Sequence, residues 1–153
     1  MIKNNNLPSF CTSNFNVIKS LIIFAKYNNF PILIESTSNQ INQFGGYTYL
    51  KPKQFVHKVT KIAKDLKFKN KIVFGADHLG PLPWKHLEKN IALKNSKKLF
   101  KDIIEAGYKK IHIDTGIKLK GDKYLSKNTI IDRCKYILNS VSKKEIKNIY
   151  FVF

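Results

Sequence analysis

An acid and an imidazole stand side by side at Asp77 and His78, directly after the mostly apolar run 71–75. That run is rich in β-branched and aromatic residues and ends in glycine, which predicts a buried strand. Gly80 and Pro81 then break the direction of the backbone. Titratable side chains at the tip of an apolar strand cost free energy to bury unless they bind something. Because α/β enzymes keep their chemistry at strand ends, this pair predicts a catalytic or metal site.

Two more acids stand at the ends of predicted strands, Glu35 after the run 31–35 and Asp114 after 110–114. Each candidate also has a structural alternative. The imidazole of His78 could fasten its loop, and Asp77 could cap the following turn. Glu35 could pair with a lysine inside the sheet, and Asp114 could cap or cross-link loops. His112 shares the alternation face of Asp114, and we interpret it as a core histidine rather than a ligand.

These residues are spaced along a chain that alternates predicted strands with amphipathic helices. Strands begin near residues 7, 31, 71, 110 and 149, the last being the aromatic run 148–153. Helices are predicted from Asn14 or Asn16 to Lys26, from Pro52 onwards, up to Ala106, and from Ser126 or Asn128 to Val141. Alternating β and α elements predict a parallel α/β sheet.

An open doubly wound sheet and a (β/α)8 barrel both fit this order. No GxGxxG motif supports the former, and Gly45-Gly46 lies in a loop without that spacing. Acids that recur at several strand ends favour a barrel, whose site is assembled from several strands. We therefore expect a single domain over residues 1–153. It would be a TIM-type half-barrel of four βα units and a fifth strand, since a whole barrel needs about 250 residues.

The net charge of +18 comes almost entirely from lysine, which supplies 27 of the 28 basic residues. Arg133 is the only arginine, the residue that usually reads bases and phosphates in bidentate fashion, so nucleic-acid binding is disfavoured. The longest apolar run, 21–25, is too short to cross a bilayer. The polar start Met1–Asn6 lacks a signal-peptide core, and the two cysteines are far apart. We expect a cytoplasmic protein without a membrane partner.

Three blocks carry a resemblance to a known family. The stretches IESTSNQINQFGGY at 34–47, GADHLGP at 75–81 and KKIHID at 109–114, with LPSFCTSN at 7–14 before them, resemble the Z-type subunit of class II D-tagatose-1,6-bisphosphate aldolase, the GatZ/KbaZ type. Two positions depart from that family's pattern: Ala76 replaces a second glycine, and the loop 115–124 is richer in lysine. Family members are well over twice as long, so the chain resembles their N-terminal part.

The resemblance implies a TIM-barrel subunit and a chemistry. Class II aldolases use a divalent metal, expected to be zinc, that polarises a ketone. His78 would be the metal ligand, and Asp77 and Glu35 the catalytic carboxylates. Sugar hydroxyls would be bound by four residues: Asn39, Gln40, Gln43 and Asp114.

The same resemblance implies an accessory, non-catalytic role in galactitol or amino-sugar catabolism. The chain would support a catalytic class II aldolase subunit that acts on a sugar phosphate, and a second polypeptide could complete the barrel. The alternative is a metal-dependent 4-epimerase of the same family that interconverts tagatose-6-phosphate and fructose-6-phosphate. A basic nucleic-acid-associated protein is a distant third. Because an incomplete barrel leaves an apolar edge, we expect the isolated chain to self-associate or dissolve poorly.

Overall fold

A computed structural model describes residues 7–153, so the prediction for the polar segment Met1–Asn6 lies outside the described residues. Five strands alternate with helices along the chain. The strands are β1 (Ser9–Cys11), β2 (Ile32–Thr37), β3 (Ile72–Leu79), β4 (Lys110–Ile113) and β5 (Tyr150–Val152). The α-helices are α1 (Phe15–Tyr27), α2 (Pro52–Asp65), α3 (Lys89–Glu105), α4 (Lys127–Leu138) and α5 (Lys143–Ile146). Short 3-10 turns cover Gly46–Thr48 and Leu82–Trp84.

The five strands form one parallel sheet in the order β1-β2-β3-β4-β5. A doubly wound sheet would reverse its strand order at a switch point, and this sheet does not. Consecutive helices also contact one another, α1 with α2, α2 with α3, and α3 with α4, which places them on one side of the sheet. The predicted α/β class is therefore confirmed, with the strand order of a (β/α)8 barrel: four βα units followed by a fifth strand.

The core lies between the helices and one face of the sheet, the helix-packed face. Ile34, Phe74 and Ile111 point to this face and are buried. The Phe74 ring lies 6.4 Å from that of Phe55 on α2 and 6.0 Å from that of Tyr108. Since side chains alternate along a strand, the neighbours of these residues point to the opposite face, which we call the inner face.

Several helix boundaries follow from the capping residues that the sequence indicated. The side chain of Asn14 accepts hydrogen bonds from the backbone of Asn16 and Val17 at the start of α1. Pro52 occupies the first turn of α2, where its missing N–H costs nothing. Of the two candidate caps for α4, Ser126 is the one, since its Oγ accepts from the Thr129 N–H at 3.1 Å.

Two boundaries differ from the prediction. Strand β3 runs on to Leu79, so Asp77 and His78 lie within the strand instead of after it. The predicted last helix ends at Leu138, and the separate short helix α5 follows. In α5, Ser142 and Glu145 form a reciprocal capping box, a short-range signal that starts a new helix. Among residues 7–153, no helix is long and apolar enough to span a membrane.

Candidate functional site

A β-bulge brings the two adjacent candidates onto one side of the sheet. Strand β3 pairs with β4 through Ala76 opposite Ile111 and Leu79 opposite Ile113. Between these pairs two residues of β3, Asp77 and His78, oppose the single residue His112. The bulge also places His78 at φ +84°, a left-handed conformation that is uncommon outside glycine. In a regular strand the two side chains would point to opposite faces.

The three side chains at the bulge form a compact group. Asp77 Oδ1 lies 2.9 Å from His78 Nδ1 and 3.3 Å from His112 Nδ1. The centroids of the two imidazole rings are 4.3 Å apart. One potential ligand atom from each residue lies within 4.8 Å of the others, and all three residues are partly accessible to solvent. Two imidazoles and a carboxylate are a donor set that suits zinc and other divalent transition metals.

The surroundings keep Asp77 ionised at neutral pH. Partial burial opposes its ionisation, but the hydrogen bond with His112 and the charge of His78 outweigh that effect and lower the pKa of Asp77 below its ordinary value. On β1, burial and the nearby charge of Asp77 raise the pKa of the Cys11 thiol to about 11. The thiol therefore stays protonated at neutral pH beside an ionised carboxylate.

The predicted catalytic residue Glu35 lies one step deeper on the inner face. Its side chain is only 5% exposed. Its Oε2 accepts a hydrogen bond from Lys110 Nζ at 2.6 Å, and its Oε1 accepts one from Ser9 Oγ. This is the ion pair that the sequence left open as the structural alternative. A catalytic role for Glu35 stays a prediction.

The four predicted sugar-binding residues lie in loops, and the structure does not bring them into the Asp77 group. The side chain of Asn39 is exposed. Gln40 Oε1 accepts from the Thr37 N–H at 2.8 Å, and Asp114 Oδ1 accepts from the Gly116 N–H at 2.9 Å.

Gln43, the fourth of these residues, contacts helix α3. Its Nε2 donates to the Asn95 carbonyl at 3.0 Å, while its buried Oε1 has no hydrogen-bond partner among the described residues. Gln43 also lines a cavity of about 280 Å³ that α2 and α3 border. For all four residues, a role in sugar binding stays a prediction.

Two residues that matter here were missed by sequence reasoning. His112, expected in the core, instead belongs to the candidate site, and its place on the strand gave no sign of which face it lies on. Asn42 is buried and organises the β2–α2 loop: its Nδ2 donates to the Ser38 carbonyl, and its Oδ1 accepts from the N–H groups of Phe44 and Gly46. The signal for Asn42 was an asparagine shortly before two glycines, a typical turn composition.

The loop between β4 and α4 is fastened by Arg133, which is 4% exposed. Its guanidinium donates to the Ile117 carbonyl at 2.9 Å and pairs with Asp122. Asp122 also accepts from the Leu119 N–H at 2.9 Å and pairs with Lys89 of α3 at 3.1 Å. The only arginine of the chain is thus engaged inside the protein.

Comparisons with known proteins agree with this architecture. Residues 2–152 match the family described as D-tagatose-1,6-bisphosphate aldolase subunit GatZ/KbaZ-like. The crystal structure of a probable tagatose 6 phosphate kinase from Sinorhizobium meliloti 1021 is similar over 95% of this chain, with 34% identity and a TM-score of 0.86. This chain covers 38% of that relative.

A second solved structure, the YdjI aldolase from Escherichia coli K12, is 12% identical and has a TM-score of 0.39. That match covers 95% of this chain and 73% of the aldolase. The family match, by contrast, spans nearly the whole sequence. The chain belongs to the D-tagatose-1,6-bisphosphate aldolase subunit GatZ/KbaZ-like family.

Proposed function

We propose that this chain contributes a divalent-metal site to a tagatose-bisphosphate aldolase system that acts on sugar phosphates. The observation that carries the proposal is the convergence of Asp77, His78 and His112 at the bulge. The description of the family as an aldolase subunit supports the proposal, and this donor set matches the metal dependence of class II aldol chemistry.

The geometry of the group suits a cation. Both Nδ1 atoms approach the same oxygen of Asp77, so a ring that donates from Nδ1 keeps the lone pair of Nε2 free for a metal. A carboxylate that orients metal-binding histidines in this way is a common arrangement around zinc. A divalent cation held there would supply Lewis acidity to a carbonyl oxygen of the substrate. His78 and His112 would hold it, and zinc is the expected ion.

Asp77 is the proton acceptor that we propose for this site. It is a carboxylate at neutral pH, the form that takes up a proton, and its lowered pKa makes it a weaker base than an ordinary carboxylate. Its neighbourhood is open enough for a ligand to approach, since the side chains of Asp77, His78 and His112 are all partly exposed. In an aldol reaction the proton it takes would be that of a sugar hydroxyl next to the bond that breaks.

The accessory role, support of a catalytic class II aldolase subunit, is our first candidate for the whole protein. It is supported by the family description as an aldolase subunit. The chain spans 38% of the length of the solved relative to which it is 34% identical, so further βα units, in the same or another polypeptide, would complete the barrel beside β5. The catalytic subunit and a sugar phosphate are the proposed partners.

The second candidate, a ketose-phosphate 4-epimerase, is favoured by one observation. Metal donors and an ionised carboxylate lie together on this chain. Epimerisation by retro-aldol cleavage and re-addition requires a Lewis acid and a proton carrier in the same site.

Metal analysis tests the site. We expect the unmodified chain, equilibrated with zinc and then dialysed, to retain about one ion per molecule. His78→Ala should lose it, whereas His57→Ala, which removes an exposed imidazole from α2, should not. Unchanged zinc binding in His78→Ala would remove His78 from the site. Conversion of tagatose-6-phosphate to fructose-6-phosphate would favour the epimerase, and activation of a catalytic class II aldolase subunit would favour the accessory role.

A further inference from the structure

Five residues form one rung across the sheet just below the bulge. In the strand register, Glu35 of β2 lies opposite Gly75 of β3, and Gly75 lies opposite Lys110 of β4. The rung continues outward to Cys11 on β1 and Tyr150 on β5. The central position carries no side chain, so the inner face has a gap between the two charged residues that flank it.

The side chain of Glu35 fills that gap. A Cβ placed on Gly75 would lie 2.8 Å from Glu35 Oε2 and 2.9 Å from its Cγ, closer than real Cβ atoms approach. The carboxylate therefore passes over Gly75 to reach Lys110 Nζ, 2.6 Å from Oε2. The hydroxyl of Ser9 donates a hydrogen bond to Oε1 of Glu35, so the carboxylate cannot move aside without breaking that hydrogen bond. Gly75 is required here for space.

This ion pair lies directly beneath the candidate site. Asp77 follows Gly75 by two residues and His112 follows Lys110 by two residues, so each pair shares the inner face. The regular backbone pairing of β3 with β4 stops at Ala76, just where Asp77 and His112 must meet. A bulge disrupts the ladder locally and leaves the spacing of the two strands less fixed by backbone hydrogen bonds.

We propose that the Glu35–Lys110 ion pair is a positioning device that bridges β2 and β4 across Gly75 and sets the distance between Asp77 and His112. The buried carboxylate and the mostly buried ammonium cannot separate cheaply, because each would leave the other unpaired in a poorly solvated place. They hold β2 and β4 together across β3, in the last rungs of regular pairing just below the interruption of the backbone ladder. The expected effect on metal binding rests on the proposed function. The distance between Asp77 and His112 is set in the same way when no cation is bound.

Two variants test it from different sides. Lys110→Met removes the charge and keeps an unbranched side chain that is one atom shorter, and Gly75→Ala keeps both charges and pushes Glu35 off its path. Lys53→Met is the matched control, since the Lys53–Glu105 pair is exposed on the helix side. Lys110→Arg keeps the charge and should restore the arrangement. If circular dichroism shows that Lys110→Met does not fold, the comparison of Gly75→Ala with Lys110→Arg tests the proposal instead.

The first readout is made on the metal-free full chain. Proton–nitrogen correlation spectra of the imidazole rings report the hydrogen bond between His112 Nδ1 and Asp77. We expect Lys110→Met and Gly75→Ala to shift the His112 resonances and weaken that bond, while the exposed ring of His57 is unaffected. Lys110→Arg and Lys53→Met should match the unmodified chain. Unchanged His112 resonances in both test variants would overturn the inference, whether or not the chain binds metal.

The second readout is the affinity for cobalt(II), whose absorption spectrum reports its coordination. Loss of a residue that orients metal ligands typically costs ten- to a hundredfold in affinity. We expect at least a tenfold loss in Lys110→Met and Gly75→Ala, and affinity within twofold of the unmodified chain in Lys53→Met. Full cobalt affinity in both test variants would also overturn the inference. Failure of the unmodified chain to bind cobalt would instead count against the proposed function, and the imidazole spectra would still decide the positioning.

Discussion

At the scale of the residue, two glycines of β3 and its exit allow close approaches that no other residue permits. Gly75 leaves the path for Glu35. A Cβ at Gly80 would overlap the carbonyl oxygen of Asp114, in the backbone just after β4. Backbone cannot swing away as a side-chain end can. The two glycines therefore fix how near β2, β3 and the exit of β4 come to one another around the site.

We expect Gly80→Ala to destabilise the chain by about 2 kcal/mol or more, since overpacking against fixed backbone typically costs that much. Urea unfolding followed by circular dichroism measures the loss. Gly116→Ala is the control, because the nearest atom to its Cβ would be the side-chain oxygen of Asp114 at 3.3 Å. Equal stability of the two variants would contradict the expectation, because it would mean that the backbone at Asp114 shifts without a cost in free energy.

The chemistry-bearing residues on β3 could be predicted from the sequence, but their convergence could not. Asp77 and His78 were evident from residue type and from the strand before them. The bulge depends on how β3 and β4 pair, and pairing between strands more than thirty residues apart leaves no local pattern. For the same reason alternation placed His112 on a face without showing which face it was.

At the scale of the element, the loop between β4 and α4 depends on one buried carboxylate. Although burial opposes ionisation of Asp122, hydrogen bonds from Arg133, the Leu119 N–H and Lys89 lower its pKa to about 2. The group is more acidic folded than unfolded, so its contribution to stability is complete above the unfolded pKa near 4 and disappears as the pH falls through about 2. This loop is therefore expected to be acid-sensitive.

Asp122→Asn should destabilise the chain by about 3 kcal/mol at pH 7, because it leaves Arg133 buried without its ionic partner. The difference from the unmodified chain should shrink between pH 4 and pH 2, where Asp122 itself becomes protonated. Urea unfolding across this pH range measures it, with Asp65→Asn on the exposed face of α2 as the control. An equal loss at pH 7 and pH 2 would contradict the assignment of the effect to charge.

Helix boundaries were predictable where a cap lies next in sequence to what it caps, as at Asn14, Pro52 and Ser126. The carboxyl end of β3 was not, because Asp77 and His78 resemble loop residues and only their pairing with β4 makes them strand. The break between α4 and α5 was missed since Val141 continued the apolar spacing, although Ser142 and Glu145 carried a capping signal.

At the scale of the whole molecule, the sheet has two strands with one neighbour each. Within residues 7–153, β1 pairs only with β2, and β5 pairs only with β4. Strand β5 is aromatic, and Phe153 beside it is exposed and lines an apolar cavity of about 400 Å³ with Ile130 and Ile131. Unpaired, apolar strand edges are templates for association with another chain.

We expect the purified chain to self-associate, and to do so more strongly as salt screens its charge of +18. Sedimentation velocity at several salt and protein concentrations measures this. Val152→Lys, which puts a charge on the edge strand, should reduce association. A monodisperse monomer with a sharp, reversible melt at every salt concentration would refute the expectation.

Because Arg133 is buried, chemical modification distinguishes it from the exposed lysines of the protein surface. All other basic side chains except histidine are lysine amines, so acylating reagents would cancel the positive surface while leaving the single guanidinium intact. Dicarbonyl reagents modify guanidinium groups. They would reach Arg133 only when the loop 117–122, which contacts it, moves away from α4. The rate at which a single adduct appears in the mass spectrum would then report how often the loop 117–122 opens, with no other label on the protein.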